Sequence, residues 1–387
     1  MTNHALSRAL LLAVALAAAI AVFPQAASVT IEVKNEPDIS RLSETIELSA
    51  KEVSRLLPVK DLRTVRVTDP ASGRELVSQA LDLDGDLVFE ALIFQADFAP
   101  GQSRKFALSA GSRRIAARDE FKVYGRFARE RFDDFAWEND RIAHRMYGTA
   151  LETWKQEPLT SSAVDVWCKR TRRLVINDWY MVDDYHEDTG EGADFYSAGR
   201  SRGCGGSGVW VEGKLHVSRN FVNSKVLAAG PIRLVFELTY APWQAGGREV
   251  SEVKRITLDA EQNLDRFESF YKASGASGLV HAAGIKKAAG SSMTQDRKEG
   301  WLRTWEPIRK GEAGHLGCGI IVNPASLVDV IESEGNYLML ARTDDRLVAT
   351  WYAGFGWDRS GDFADEAAWA AYLRQAARRL GSPLKLR

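Results

Sequence analysis

The chain has 387 residues and an almost balanced charge, with 51 Lys and Arg against 52 Asp and Glu. This balance argues against a protein that binds nucleic acid or an anionic membrane surface, because both need a broad positive field. The length is enough for one large domain or two ordinary ones. Any preference for anionic ligands must therefore come from local groups of cations.

The first 27 residues have the pattern of a secretory signal peptide. Arg8 provides a short basic start, residues 9–22 are an unbroken apolar run, and residues 24–27 offer small side chains for cleavage. The run is too short and too rich in alanine to favour a membrane-spanning helix. We expect a periplasmic or secreted protein with no membrane attachment after cleavage, and an uncleaved anchor is the alternative.

The three cysteines allow at most one disulfide bond in an oxidising compartment. Cys204 and Cys318, each flanked by glycines, are the candidate pair. Three small buried side chains without a bond are the alternative.

Short alternating or apolar segments separated by Asp, Gly, Pro and Ser predict β-strands in residues 28–118. These segments are residues 28–33, 64–68, 87–94 and 105–108. They indicate an N-terminal β-sandwich-like region. Residues 82–86 superficially look like a calcium loop, but the glycine comes too early for an EF-hand, so a hairpin turn is the better interpretation.

The same pattern continues through residues 119–387 and predicts a large antiparallel, mainly β domain. The predicted strands are residues 167–176, 208–212, 233–240, 252–258 and 337–340. Helical periodicity is convincing only at residues 365–380, whose apolar face is Trp369, Tyr372, Leu373, Ala376 and Leu380. Acidic residues begin this helix, and Gly381 and Pro383 end it.

Residues 135–147 combine aromatic, amide and charged side chains at a density that is typical of a ligand cleft. As a single strand, this segment places Trp137, Asn139, Arg141, Arg145 and Tyr147 on one face and Glu138, Asp140, Ile142 and His144 on the other. The first face could bind a sugar, with an indole against the ring and guanidinium groups against a carboxylate. In the alternative, Arg145 pairs with Asp133 or Asp134 and Trp137 belongs to the core.

Residues 183–196 offer titratable side chains within one glycine-rich loop. His186 and Tyr185 could act as acid and base, since imidazole titrates near neutrality. The acidic residues, among them Asp188, could instead bind calcium, which is the one cofactor this sequence suggests.

Residues 203–208 match a bare GxGxxG motif, but a strand pattern follows, so we reject dinucleotide binding. The glycines could still form an anion-binding nest beside Arg200 and Arg202. An ordinary tight bend is the alternative.

Residues 133–148, 185–194 and 201–206 together resemble a bacterial family known as domain of unknown function 4861. The resemblance implies a β-supersandwich similar to that of galactose-mutarotase-like and lyase proteins, and a carbohydrate-active role near the breakdown of uronic-acid-rich polysaccharides. It also implies that His144 is not catalytic, because related proteins commonly have a bulky apolar residue there.

The function that we predict is β-elimination on a uronic-acid-containing oligosaccharide, either as a dehydratase or as a lyase. We assign binding of the substrate carboxylate to Arg141, Arg145 and Asn139. The base is His186 or Tyr185, and the acid is Tyr147 or whichever of these two loop residues is not the base. Further substrate contacts are assigned to Trp137, Lys169, Asp188, Arg200 and Arg202. The alternatives are a glycoside hydrolase that pairs Glu138 or Asp140 with Asp188 or Glu191, and a glycan-binding protein without catalysis.

Overall fold

The computed structural model describes residues 28–155, 159, 162–182 and 184–387. The predicted signal peptide therefore lies outside the described residues. No helix in these described ranges has the length and apolar character needed to cross a bilayer.

The described chain is mainly β. The N-terminal strands are β1 (Ser28–Lys34), β2 (Arg41–Ser49), β3 (Val65–Asp69), β4 (Arg74–Leu76), β5 (Ser78–Leu81), β6 (Ala91–Phe98) and β7 (Ser103–Ala110). The middle strands are β8 (Val123–Ala128), β9 (Asp134–Asn139), β10 (Ala143–Met146), β11 (Asp165–Lys169), β12 (Gly192–Ala193), β13 (Cys204–Val211), β14 (Lys214–His216), β15 (Phe221–Ala229), β16 (Arg233–Ala245), β17 (Arg248–Asp259) and β18 (Leu264–Ala273). The last strands are β19 (Val280–Lys286), β20 (Ser292–Asp296), β21 (Trp301–Pro307), β22 (His315–Val322), β23 (Leu327–Ser333), β24 (Asn336–Arg342), β25 (Val348–Trp357) and β26 (Lys385–Leu386). The helices are α1 (Ala50–Leu56), α2 (Ile176–Tyr180) and α3 (Glu366–Gly381).

Two sheets form the N-terminal part of the fold, in the orders β26-β1-β7-β3-β4 and β2-β6-β5. Their inward side chains and Val53 of α1 share one hydrophobic core. The last strand of the chain returns to this region, where Leu386 pairs with Val33. The division of the chain at residues 118 and 119 stays a prediction, since β26 joins the N-terminal sheet.

The rest of the fold is built on an eight-stranded antiparallel sheet, in the order β15-β16-β17-β18-β25-β22-β21-β20. Two five-stranded sheets, β14-β13-β19-β24-β23 and β12-β11-β10-β9-β8, share a single large core with it. This arrangement confirms the predicted mainly β fold with large antiparallel sheets. It also leaves the outer face of the β8–β12 sheet to be covered by α2 and the loop that follows it.

Helix α3 confirms its prediction closely. Asp365 caps its N-terminus by accepting the backbone N–H of Ala368 at 2.8 Å. Trp369, Leu373 and Ala376 are buried against the outer face of the large sheet, whereas Leu380 is 40% exposed. The amphipathic pattern and the capping residues were therefore sufficient to place this helix.

Two predicted strands are wrong at their ends. Leu87 and Val88 are exposed in a hairpin loop, and the strand begins only at Ala91. The loop joins β5 to β6, which confirms a hairpin connection at residues 82–86. The predicted strand at residues 167–176 ends at Lys169, and α2 begins at Ile176.

Candidate functional site

The aromatic segment at residues 135–147 is a hairpin and not a single strand. The side chain of Asn139 accepts the backbone N–H groups of Arg141 at 2.8 Å and Ile142 at 2.9 Å, which reverses the chain between β9 and β10. In the resulting register His144 lies opposite Trp137 and Arg145 lies opposite Ala136. Arg145 therefore projects from the face opposite to that of Trp137, and the predicted common face is wrong.

Trp137 and Asn139 are both sealed in the interior, so the substrate contacts assigned to them are wrong. The indole N–H of Trp137 donates to Asp265 at 2.9 Å, and its ring stacks on His144. The amide of Asn139 donates to the carbonyl oxygens of Asp259 and Gln262. Burial lowers the pKa of His144 to about 3, which keeps this histidine neutral.

Lys169 has a structural role, which argues against the substrate contact assigned to it. Its ammonium group is buried and contacts Glu138 and the carbonyl oxygen of Asn139, each at 2.7 Å. Glu138 also accepts the backbone N–H groups of Val175 and Ile176, at the start of α2. This pair fixes α2 over the sheet, and it removes Glu138 from the carboxylates that could catalyse hydrolysis.

Arg141 does not join Arg145 around a ligand. Its guanidinium donates to Asp362 at 3.0 Å, and Arg172 binds the same carboxylate. Arg141 thus belongs to a surface ion-pair group at the turn of the β9–β10 hairpin.

Arg145 lies at the centre of a cluster of acidic side chains. Its Nε atom is 2.8 Å from Asp165, Nη2 is 3.1 Å from Asp194, and Nη1 is 3.5 Å from Asp134. Nη1 also donates to the phenol oxygen of Tyr185 at 2.8 Å. Because its charge is already balanced by carboxylates, Arg145 orients other groups and is a poor ligand for a substrate carboxylate.

A pocket of about 210 Å³ opens beside this cluster. It brings together Arg145, Tyr147 and His186 of the predicted site, and it adds Arg309 from a distant loop. Tyr185 is not among the residues that line it. The lining residues are Arg145, Tyr147, Asp165, His186, Asp194, Phe195, Tyr196, Ser197, Ala198 and Arg309.

The geometry of His186 fixes which ring nitrogen can accept a proton. Nδ1 lies 2.9 Å from the carbonyl oxygen of Asp194, and a carbonyl can only accept, so Nδ1 carries the hydrogen in the neutral ring. Nε2 is then the acceptor. The side chain is 49% exposed at the pocket, so this nitrogen is available to a ligand as a base.

The two tyrosines differ in what their hydroxyl groups already do. The hydroxyl of Tyr147 donates to Asp165 at 3.0 Å, so its proton is engaged. Tyr185 accepts from Arg145, which leaves its own proton available. Burial raises the pKa of Tyr185, against the opposing effect of Arg145, so that the phenol keeps its proton at neutral pH.

Arg309 is the cation of the pocket that the sequence did not reveal. It lies in a short loop between β21 and β22, with left-handed backbone at Arg309 (φ 48°) and Lys310 (φ 58°). Its guanidinium donates to the carbonyl oxygen of His186, lies over the ring of Phe195, and is 3.4 Å from the exposed Glu187. No local pattern marks this arginine, because only the folded chain brings it to His186.

Three acids of the loop at residues 184–194, namely Asp188, Glu191 and Asp194, are held by arginines, which argues against the suggested calcium site there. Asp188 binds Arg170 at 2.7 Å and accepts backbone N–H groups of Gly190 and Gly192, so it shapes the loop and does not line the pocket. Glu191 binds Arg173, and Asp194 binds Arg145. Asp183 lies outside the described residues.

The glycine-rich segment forms strand β13 with a bulge, so the predicted anion nest is wrong. A Cβ atom at Gly203 would lie 2.0 Å from the carbonyl oxygen of Val164, so glycine allows close backbone packing here. Arg202 is buried and donates to the carbonyl oxygens of Ser162 and Arg200, and it is therefore not a substrate ligand. Arg200 is exposed, and its assigned contact stays a prediction.

The three cysteines are free and buried, which agrees with the alternative of three unbonded thiols.

Comparison with known proteins gives a family and a fold. A family model described as "Domain of unknown function (DUF4861)" matches residues 33–386. "Uncharacterized protein P7" of Formosa agariphila is 32% identical over 369 residues, which cover 92% of each chain. An alpha-mannosidase from Enterococcus faecalis V583 has a similar structure, with a TM-score of 0.50 and 9% identity. The likeness covers 94% of this chain and only 46% of the mannosidase, and it concerns the fold alone.

Proposed function

We propose that this chain, which belongs to the DUF4861 family, is a carbohydrate-active enzyme that performs β-elimination on uronic-acid-containing oligosaccharides. One observation carries the proposal. The proton-accepting Nε2 of His186 and the outward guanidinium of Arg309 belong to the same pocket. A base and a cation side by side are what removal of a proton next to a carboxylate requires.

Arg309 is the group that we assign to the substrate carboxylate. The C5 proton of a uronate is weakly acidic, and its removal develops negative charge on the carboxylate, which a nearby cation stabilises. Arg309 is 39% exposed and, within the part of the chain that the structure describes, forms an ion pair only with the exposed Glu187, whereas Arg145 is surrounded by three aspartates. Arg309 therefore replaces Arg141, Arg145 and Asn139 in this role.

His186 is assigned as the base and Tyr185 as the acid. His186 takes the C5 proton, the bond between C4 and its oxygen breaks, and the proton of Tyr185 goes to the leaving oxygen. The two rings are adjacent, with centroids 4.5 Å apart. Water leaves if C4 carries a hydroxyl group, and a sugar chain leaves if C4 carries a glycosidic oxygen.

The remaining parts of the proposal concern the setting of the reaction. The pattern of residues 1–27 supports export to the periplasm or outside the cell. An exported enzyme would meet acidic oligosaccharides or polysaccharides as its partners. The chemistry assigned to His186, Tyr185 and Arg309 needs no metal ion.

The direct test is to incubate the purified protein with uronate-containing oligosaccharides and to follow mass and ultraviolet absorbance together. New absorbance from an unsaturated uronate, with loss of water or with chain cleavage, is the expected result. Chain cleavage without new absorbance would contradict elimination and would indicate hydrolysis. Binding without turnover would contradict catalysis and would indicate a glycan-binding protein.

Hydrolysis by the carboxylates chosen from the sequence has little support. Glu138 is buried against Lys169, and Asp140 accepts the backbone N–H of Glu261. Asp188 and Glu191 pair with surface arginines. None of the four lines the pocket with His186. Tyr185 does not line it either, but its hydroxyl lies 2.8 Å from Nη1 of the lining residue Arg145, so elimination is the function we retain.

Replacement of Arg309 by glutamine is expected to weaken the enzyme selectively toward carboxylate substrates. A hydrogen bond to a charged group contributes about 1.5–3 kcal/mol, which corresponds to roughly a 10–100-fold loss in kcat/KM. The matched control is Arg346→Gln, because Arg346 is an exposed arginine that also pairs with a neighbouring carboxylate. Equal kcat/KM values for the two variants would remove Arg309 from the site.

A further inference from the structure

The cluster around Arg145 contains more negative charge than one guanidinium can balance. Asp134 and Asp165 each have side chains that are 1% exposed, and that of Asp194 is 0% exposed. Three ionised carboxylates around one arginine would bury a net charge of about −2. Such a charge is too costly in a protein interior, so at least one of these carboxyl groups is expected to hold a proton.

Contacts within the cluster indicate which carboxyl group is protonated. Asp165 has the short contact to Nε of Arg145, and it also accepts the hydroxyl of Tyr147 and the backbone N–H of Val166. Asp194 accepts from Nη2 at 3.1 Å. Asp134 has the longest contact, 3.5 Å, and its Oδ1 has no hydrogen-bond partner among the described residues, so that beside Arg145 only the backbone N–H of Gly148 favours its charged form. Asp134 is thus the least stabilised as an anion.

The titratable groups that face Asp134 come from every element packed around it. They are Asp133 beside it, Arg145 on β10, Tyr147 just after β10, Asp165 on β11, Tyr180 on α2, and Tyr185 and Asp194 on the loop after α2. Arg131 lies over the rings of Tyr180 and Tyr185 but is bound to backbone carbonyl oxygens. Arg145 is therefore the one cation in this group that also contacts Asp134.

We propose that Asp134 holds a proton in the working enzyme and is a positioning residue for Tyr185. Both lie near the same atom, since Nη1 of Arg145 donates to Tyr185 at 2.8 Å and lies 3.5 Å from Asp134, and a negative charge on Asp134 would attract the guanidinium away from the phenol oxygen. While Asp134 is neutral, Nη1 stays on the phenol oxygen. When Asp134 ionises, it draws Nη1 away and releases Tyr185. This inference rests on the proposed function only for its effect on turnover.

The electrostatic surroundings agree with this geometry. Burial raises the pKa of Asp134 to about 7, with Arg145 opposing the shift and Asp165 adding to it. The proton is therefore present below neutrality and is lost as the pH rises through about 7. Turnover is expected to fall over the same interval, by about tenfold for each pH unit above the pKa.

The test compares the wild-type protein with Asp134→Asn, which copies the neutral carboxyl group in size. The variant is expected to keep the wild-type kcat below neutrality and to lose the fall in kcat above it. An unchanged alkaline fall in the variant would overturn the proposal. The matched control is Asp329→Asn, at an exposed aspartate paired with Arg297, which should leave the pH profile as it is.

A second measurement does not depend on turnover or on the folding of a variant. Infrared spectra of the wild-type protein should show the carbonyl stretch of a protonated carboxyl group that disappears as the pH rises through neutrality. Carboxyl-selective ¹³C NMR of aspartate should show one residue that titrates in that range. Absence of both signals would overturn the protonation of Asp134, whereas their presence without turnover of any uronate would refute only the proposed function.

Discussion

Replacement of His186 by glutamine is expected to lower kcat on a uronate oligosaccharide by about 10²–10⁴-fold, the usual contribution of a positioned acid or base. Glutamine can still donate to the carbonyl oxygen of Asp194, but it has no nitrogen that accepts a proton as Nε2 does. Substrate affinity should change little, because the carboxylate is assigned to Arg309. Kinetics combined with calorimetric binding separate the two effects.

His315 provides a matched control for this experiment. Its side chain is 44% exposed, and its Nδ1 lies 3.1 Å from Asp358, yet it does not line the pocket. His315→Gln should therefore keep kcat at the wild-type value. A His186→Gln variant that is as active as His315→Gln would exclude His186 as the base.

Replacement of Lys169 by methionine is expected to destabilise the protein by about 3–5 kcal/mol, because it leaves the buried carboxylate of Glu138 without its cation. Glu138 also accepts two backbone N–H groups at the start of α2, so the substitution is expected to weaken the packing of α2 on the β8–β12 sheet. Denaturant unfolding monitored by tryptophan fluorescence measures the change. Oligosaccharide affinity of the folded variant should equal that of the wild type.

Two further variants identify the cause of that destabilisation. Lys169→Met combined with Glu138→Gln removes the unpaired charge and should recover part of the lost stability. Lys287→Met breaks an exposed pair with Glu332 and should cost no more than about 1 kcal/mol. A Lys169→Met protein of normal stability that no longer binds saccharide would instead support the contact assigned from the sequence.

The local sequence was sufficient to predict those helices and strands whose patterns depend only on residues close together in the chain. The helix at Glu366–Gly381 follows from its apolar period, its Asp365 cap and its terminal glycine. Most strands follow from alternation of polar and apolar residues, and the motif at residues 185–194 drew attention to His186, which lines the pocket. The strand at residues 167–176 was extended too far, because the pattern does not show that Lys169 ends β11 and that the chain then turns into α2.

The face assigned to residues 135–147 was wrong for the same reason, namely that the pattern does not show where a strand ends. Alternation predicts which residues share a face only while the strand continues, and the side chain of Asn139 turns it back after six residues. Trp137 and Arg145 then project to opposite sides of one sheet. An asparagine that can bond to the backbone two residues further on was the available signal for this turn.

The sequence by itself determined the mainly β fold, the terminal helix and the family of this protein, because these depend on periodicity and on motifs of contiguous residues. Only the tertiary structure decided which charges remain available for a ligand. The sequence left open whether Arg145 is free or paired with an aspartate, and in the structure three aspartates from β9, β11 and the loop before Phe195 surround it. Arg309 lies 123 positions from His186 and meets it only in the folded chain. Charge pairing depends on distance in space, which sequence spacing does not give for residues so far apart.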